Sequence, residues 1–239
     1  MLGLLAATPA CEEKPSPAQQ DAAAVVEASA PTSSVPPPPA KPPVATVDDA
    51  SFVVTGDKVD LSAADARGRI VGMLANKPLV VGETVEVDAL RDTTMTRLET
   101  ALGGLKDARA KGATIKTAQR DLTMGSLDVV FDHGNVAPCS AVGMVAKDNA
   151  ILVWPYAGGT AAQRFSHGFA GPDITLGSDA LRKLGNGCES LVYFVTGDDS
   201  IKWGVVFDLA VAAKTGGSFK PTTVYVLTKA PVPGHKVTE

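Results

Sequence analysis

The chain has 239 residues, 45% of them hydrophobic and 5% aromatic, with 17 prolines and a formal charge of −4. One or two small domains fit that length. The weak acidity and the lack of a basic stripe exclude a nucleic-acid-binding surface, and no run of about 18 apolar residues is present to cross a bilayer as a helix.

The composition divides near residue 50. Ten of the prolines precede residue 44, and Glu12, Glu13, Asp21, Glu27, Asp48 and Asp49 against Lys14 and Lys41 account for the whole net charge. Residues 1–11 are apolar and end in small residues before Cys11. This is similar to the end of a bacterial lipoprotein signal, in which Cys11 would become the lipid-bearing first residue, although Thr8 stands where such signals usually carry Leu. Residues 12–50 are rich in Ala, Pro, Ser and acid. Such a segment cannot bury a core, and its Pro tracts favour an extended, disordered linker. At roughly 3 Å per residue it would hold a domain on the order of 100 Å from an anchor. A plain disordered tail is the other reading.

A first α+β unit is expected over 51–125. Residues 51–61 read as strand, Gly-Asp turn and strand, and 62–76 as a helix capped by Ser62. Pro78 to Val87 reads as a strand. Asp92 opens a helix with Met95, Leu98, Leu102 and Leu105 on one face, ending at Gly112, and Ala113 to Ala118 follows as a strand. The second unit, 126–239, begins with strands at Leu127–Phe131, Ala141–Ala146 and Ala150–Trp154, the last two joined by a turn at 147–149. A long connection from Pro155 to Gly177 leads to a short helix at Ser178–Leu184. Leu191 to Thr196 is β-branched and aromatic, a strand. Ile201, Val205, Leu209 and Ala212 then mark one stripe of a helix capped by Asp199 or Ser200, and Gly216-Gly217 ends it before a strand at Thr222–Leu227. The fold class is α+β, a two-layer β-β-α-β-α-β domain with its helices on one face of a small sheet. Aligning Asp92 with Asp199 places Leu98, Leu102 and Leu105 opposite Val205, Leu209 and Ala212. That spacing suggests two degenerate copies, against the alternative of two unrelated amphipathic helices.

The order strand, Asp199, Ile201, Trp203-Gly204, apolar helix through Asp208 to Ala213-Lys214 and Gly216, then strand, resembles the periplasmic domain of the ExbD/TolR family. Lys202 stands where that family often has Pro, and Trp203 where it has Tyr. The resemblance implies the β-β-α-β-α-β topology and a domain that pairs with itself, with a related domain or with the cell wall, in biopolymer transport or proton-motive-force-coupled envelope systems. The family's transmembrane helix and its acidic residue have no counterpart in this sequence, so the motor role does not carry over.

With Cys11 as an anchor, Cys139 and Cys188 remain as a pair that an oxidising periplasm would join, closing a loop of about fifty residues worth roughly 4 kcal/mol. Free buried thiols and a metal site are the rival readings, the latter disfavoured by the absence of closely spaced ligands. His133 follows Asp132 and lies near Cys139, but an Asp-His-Gly stretch is most often a polar turn. Ser166 and His167, as neighbours on extended chain, point to opposite sides and cannot act as nucleophile and base by themselves. Helix capping accounts for Asp198-Asp199. No catalytic residue, metal site or cofactor is therefore assigned, and the chain is read as non-enzymatic. Trp154, Tyr156, Arg164, Phe165 and Phe169, around a Gly-rich loop, form a candidate binding surface; aromatics folding back on the sheet are the alternative.

Together these readings describe an envelope lipoprotein in the periplasm of a Gram-negative bacterium, anchored to the inner or outer membrane. It would act through an envelope protein partner or peptidoglycan. The second reading is a stand-alone cell-wall or ligand-binding lipoprotein using the 154–177 loop.

Overall fold

The computed structural model describes residues 43–75, 77, 80–132, 134–168, 171–188, 192–216 and 223–238. The described residues belong to one compact unit, Ala40–Glu239. Cys11, His133 and Phe169 lie outside the described residues. Among those described, eleven strands form one mixed sheet and four helices accompany it.

The first strand, β1, is Val44–Val47, inside the stretch read as linker. It is only four residues long, too short for a composition-based reading to separate from a tail. It nevertheless takes an interior place, antiparallel to β2 (Ser51–Val54) and parallel to β4 (Thr84–Ala89). The strand β3 (Asp57–Asp60) is the outermost on that side. Helix α1 (Ala66–Leu74) begins later than expected, because Ser62 is engaged in a turn with the Asp60 carboxylate and Asp65 occupies the cap position. Strand β4 is also later than expected, since Val80 to Gly82 form a turn. Helix α2 (Met95–Asp107) starts after Thr94 rather than at Asp92, and Gly112 opens β5 (Gly112–Ala118) instead of ending the helix. The strand β6 (Met124–Val130) returns antiparallel to β5.

The second half repeats this order. The strands β7 (Ala141–Val145), β8 (Ile151–Pro155) and β9 (Gln163–Phe165) precede α3 (Ile174–Gly185), β10 (Val192–Gly197), α4 (Trp203–Thr215) and β11 (Thr223–Val226). The expected topology lacked β9, and the expected third helix was too short. β9 and the first turn of α3 lie in the Gly-rich connection, where glycine obscures the periodicity that marks an element. The sheet order is β3-β2-β1-β4-β5-β6-β11-β10-β7-β8-β9. Each half thus contributes strands in the relation third-second-first-fourth-fifth, with β6 inserted between the two sets.

The correspondence extends to residue spacing. A shift of 108 residues (84 to 192, 95 to 203) carries β4 onto β10 and α2 onto α4, end to end. Buried Met95, Leu98, Ala101, Leu102 and Leu105 then fall on buried Trp203, Val206, Leu209, Ala210 and Ala213. The alignment of Asp92 with Asp199 is therefore one residue out of register. It placed Val205 and Ala212 on the inner stripe, whereas both are only half-buried.

The helices share one side of the sheet. Alternate strand residues (Ala45 and Val47, Val85 and Val87, Ile115, Leu127 and Val129, Ile151 and Val153, Val195, Val224 and Val226) join the buried residues of all four helices in one cluster. This is a two-layer arrangement on a much larger sheet than a single small domain supplies. On the opposite face of the second half, Val142, Met144, Leu152, Trp154 and Phe194 form a second cluster with Leu227 and Val237, so the C-terminal segment covers that side. The corresponding face of the first half is polar, with Lys116 paired to Glu86 at 2.7 Å and Thr114 bonded to Asp128.

Two glycines test how α1 packs on α2. A Cβ on Gly104 would lie 2.6 Å from Cγ2 of Ile70, whereas one on Gly72 would meet open space. Gly72→Ala is expected to raise stability by about 0.5–1 kcal/mol through helix propensity. Gly104→Ala gains the same propensity but overpacks the helix contact, and a net loss of about 1–2 kcal/mol is expected in chemical denaturation.

Candidate functional site

The junction between the halves is where the five residues that carry the family resemblance meet. In the sheet the junction is thin: among the described residues the parallel β6–β11 ladder places only Tyr225 opposite Asp128. The helix N-termini provide a second contact. The first N–H groups of a helix have no partner within it. Here Met95 N donates to the Ile201 carbonyl at 2.8 Å and Trp203 N to the Thr93 carbonyl at 2.7 Å. Thr96 N donates to Asp199 O at 3.2 Å, and Gly204 N to Arg91 O at 2.8 Å. Each pair of bonds is the other shifted by 108 residues, the isologous pattern of a twofold contact. Thr94 and Lys202 form an antiparallel bridge at its centre.

This corrects the expected caps. Neither Asp199 nor Ser200 caps α4 with its side chain, and Lys202 occupies the cap position without a side-chain bond. Backbone carbonyls from the other half do the work. Asp198 instead accepts from Lys147 N at 2.5 Å, fixing the turn between β7 and β8. The mate of Lys202, Thr94, receives extra support, its N–H and hydroxyl both donating to Asp49. Those bonds hold the Asp49 carboxyl below the usual carboxylate range.

The five motif residues all lie on this contact. Asp199 and buried Ile201 supply capping carbonyls. Trp203 is fully buried, its indole donates to Thr117 Oγ1 at 2.6 Å, and its ring lies 5.6 Å from that of Phe207. Thr117 in turn donates to the Ala89 carbonyl at 3.1 Å, so Trp203 of the second half is tied to β4 and β5 of the first. Gly204 leaves room for Arg91, since a Cβ there would come within 2.9 Å of the Arg91 Cβ. Asp208 accepts two bonds from Arg91, at 2.9 and 2.8 Å, and a third from Arg120 at 2.7 Å. Arg91 also donates to the Ala118 and Gly204 carbonyls. Arg91, Thr117 and Arg120 were not legible as site residues, because their partners are about 90 or more positions away in sequence.

Beside Asp208 a cleft of about 460 Å³ is lined by Gln119, Arg120, Asp121, Ile174, Thr175, Val211 and Thr215, among others. Its rim continues into the β5–β6 turn. There Leu122 adopts a left-handed backbone (φ 66°) and is 84% exposed, an unusual position for a large apolar side chain.

The aromatic candidates mostly serve the sheet. Trp154 is 1% exposed, and its indole donates to the His235 carbonyl at 3.0 Å. Tyr156 lies half-buried with its ring 5.0 Å from that of Phe194. It also lines a smaller hollow of about 350 Å³ with Asn135, Val136 and Lys236. Phe165 packs against the main cluster from β9, while Arg164 is exposed and paired with Asp148. Exposed His167 has Nδ1 3.1 Å from the Gly168 carbonyl, within its own loop. Cys139 and Cys188 form a disulfide with Cα atoms 5.5 Å apart. No group of three His, Cys, Asp or Glu residues able to hold a metal occurs among the described residues.

Two buried side-chain oxygens have no hydrogen-bond partner among the described residues: Thr196 Oγ1 and Glu99 Oε1. Burial and then the nearby Asp199 push the Glu99 carboxyl up to about 8, with Lys229 opposing. A sequence signal for Glu99 existed: it falls four residues after Met95 and three before Leu102, within the apolar stripe of α2.

Arg91 is the hinge of the charge network. Arg91→Ala leaves Asp208, whose side chain is 13% exposed, without its bidentate partner; a loss of about 2–3 kcal/mol is expected in denaturant unfolding. Arg120→Ala, removing a side chain 75% exposed, should change stability by less than about 1 kcal/mol. Comparison of the chain with protein-family models, with curated proteins and with solved structures finds no match.

Proposed function

We propose that the chain is a membrane-tethered envelope protein that acts through protein contacts rather than chemistry, and that its folded part is two copies of a domain similar to the periplasmic part of ExbD/TolR. The observation that carries this reading is the location of Asp199, Ile201, Trp203, Gly204 and Asp208. All five lie on the contact between two halves of equivalent element order. In this reading the self-pairing implied by the resemblance takes place inside one chain. The partner then engages a surface that the internal pairing leaves open, with the cleft beside Asp208 and Leu122 as its candidate.

Two further features support an extracytoplasmic setting. The Cys139–Cys188 disulfide closes a separation of 49 residues, a loop whose constraint is worth about 4 kcal/mol in the chain-entropy picture and which persists in oxidising compartments. The Pro- and Ala-rich segment after Cys11 has the composition of a spacer. No helix among the described residues is long and apolar enough to cross a membrane; in this reading the attachment is through Cys11. The role is accessory to biopolymer transport or a related envelope system. A ligand-binding role for the 154–177 loop retains less support, because Trp154 and Tyr156 are spent on covering the sheet.

The test is made on the full chain in a Gram-negative envelope. Wild-type protein is expected in the membrane fraction with a diacylglyceryl mass on Cys11, and Cys11→Ala in the soluble periplasmic fraction. A photo-reactive residue in place of Leu122 is expected to give a discrete adduct with a second envelope protein. A soluble wild type with unmodified Cys11 contradicts the tether, and the absence of any adduct contradicts the assigned partner surface.

A further inference from the structure

Glu99 occupies a position that the symmetry of the halves makes unusual. The 108-residue shift carries it onto Phe207, a fully buried ring over the sheet. At the same place in the first half stands a carboxyl group whose Oε1 is buried and has no hydrogen-bond partner among the described residues. It is one turn along α2 from Thr96, whose N–H and hydroxyl both donate to the Asp199 carbonyl. The charged groups facing it are the Asp199 carboxylate, from the loop that caps α2, and the exposed Lys229, from the segment after β11. An acid so placed is accommodated when neutral. When ionised it has an unsolvated oxygen and a like charge beside it.

We propose that Glu99 is a proton-operated latch on the contact between the two halves, closed when the carboxyl is neutral and loosened when it ionises. The ionised group is drawn toward solvent and Lys229, and the repulsion it exerts on Asp199 falls on the loop that supplies the Ile201 and Asp199 carbonyls to α2. Because the caps are reciprocal, slackening one weakens the other. The inference does not depend on the tether or on the identity of a partner.

The sign follows from the direction of the shift. The carboxyl is raised from an ordinary 4.5 to about 8 in the folded chain. Between these values the folded state binds more protons than the unfolded one, so stability is full below about 4.5 and falls as pH rises, levelling once Glu99 has ionised. The contact is therefore tighter at pH 6 than at pH 9.

The experiment compares the full chain with Glu99→Gln, which keeps shape and removes the proton, by amide exchange of segments covering 93–96 and 199–204 at pH 6 and pH 9. Taking the ratio between the two proteins at each pH cancels the intrinsic exchange rate. Protection in the wild type relative to the variant is expected to fall about tenfold or more from pH 6 to pH 9, the change that one pKa unit of coupling gives. In the same sample the Glu99 carboxyl, followed by carbon-13 NMR, is expected to titrate near 8, and Asp199→Asn to lower that midpoint. Parallel exchange profiles for wild type and variant, or a Glu99 midpoint in the ordinary carboxylate range, would overturn the latch. The NMR titration needs no variant and can overturn the latch even if Glu99→Gln fails to fold.

Discussion

The structure depends on a pair of helix N-termini that cap each other. α2 and α4 each present unsatisfied N–H groups, and each receives two carbonyls from the loop that precedes the other helix. Bringing two helix N-termini together sets like ends of two dipoles in proximity, and carbonyl oxygens placed between them offset that cost. The arrangement requires two equivalent strand-loop-helix units whose loops run antiparallel, as the Thr94–Lys202 bridge records. It compensates for a sheet junction at β6 and β11 that is thin among the described residues.

On this near-symmetric frame the chain has placed asymmetric side chains. Phe207 has Glu99 as its mate, and Asp208 has Thr100. The Arg91–Asp208–Arg120 network and the Trp203–Thr117 bond tie the second half's helix to the first half's loops and strands, and neither has an equivalent with the roles reversed. The back face of the second half is covered by the C-terminal segment, whereas that of the first half is polar and open. Covering one face and charging the other distinguishes the two halves, although their strand order is the same.

Much of this was legible in sequence wherever apolar periodicity is strong. The strands around 141–154 and 192–197, the helices that became α2 and α4, and their placement on one face follow from unbroken apolar, β-branched and aromatic runs and from 3.6-residue spacing. The errors have physical causes. Four-residue β1 hides in a segment whose composition is that of a linker, and three-residue β9 in one rich in glycine. The helix starts were misplaced because Asp92, Asp199 and Ser200 are good caps by type, yet carbonyls distant in sequence took the task. The one-residue difference between the expected alignment and the 108-residue correspondence of α2 with α4 came from aligning those same acids. The motif residues were legible as a group, but their role was not, since Arg91 and Thr117 come from the other half.

The reciprocal contact is the claim on which the rest stands, and a cross-link tests it most directly. Bridge partners in an antiparallel pair bring their Cα atoms to about 4.5–5.5 Å, within the range a disulfide spans. Thr94→Cys combined with Lys202→Cys in the full chain should oxidise quantitatively in air, leave the Cys139–Cys188 bond in place, and raise the midpoint of thermal unfolding. Two thiols that remain free in the folded protein, or that pair only after unfolding, would contradict the reciprocal caps and with them the joining of the two halves.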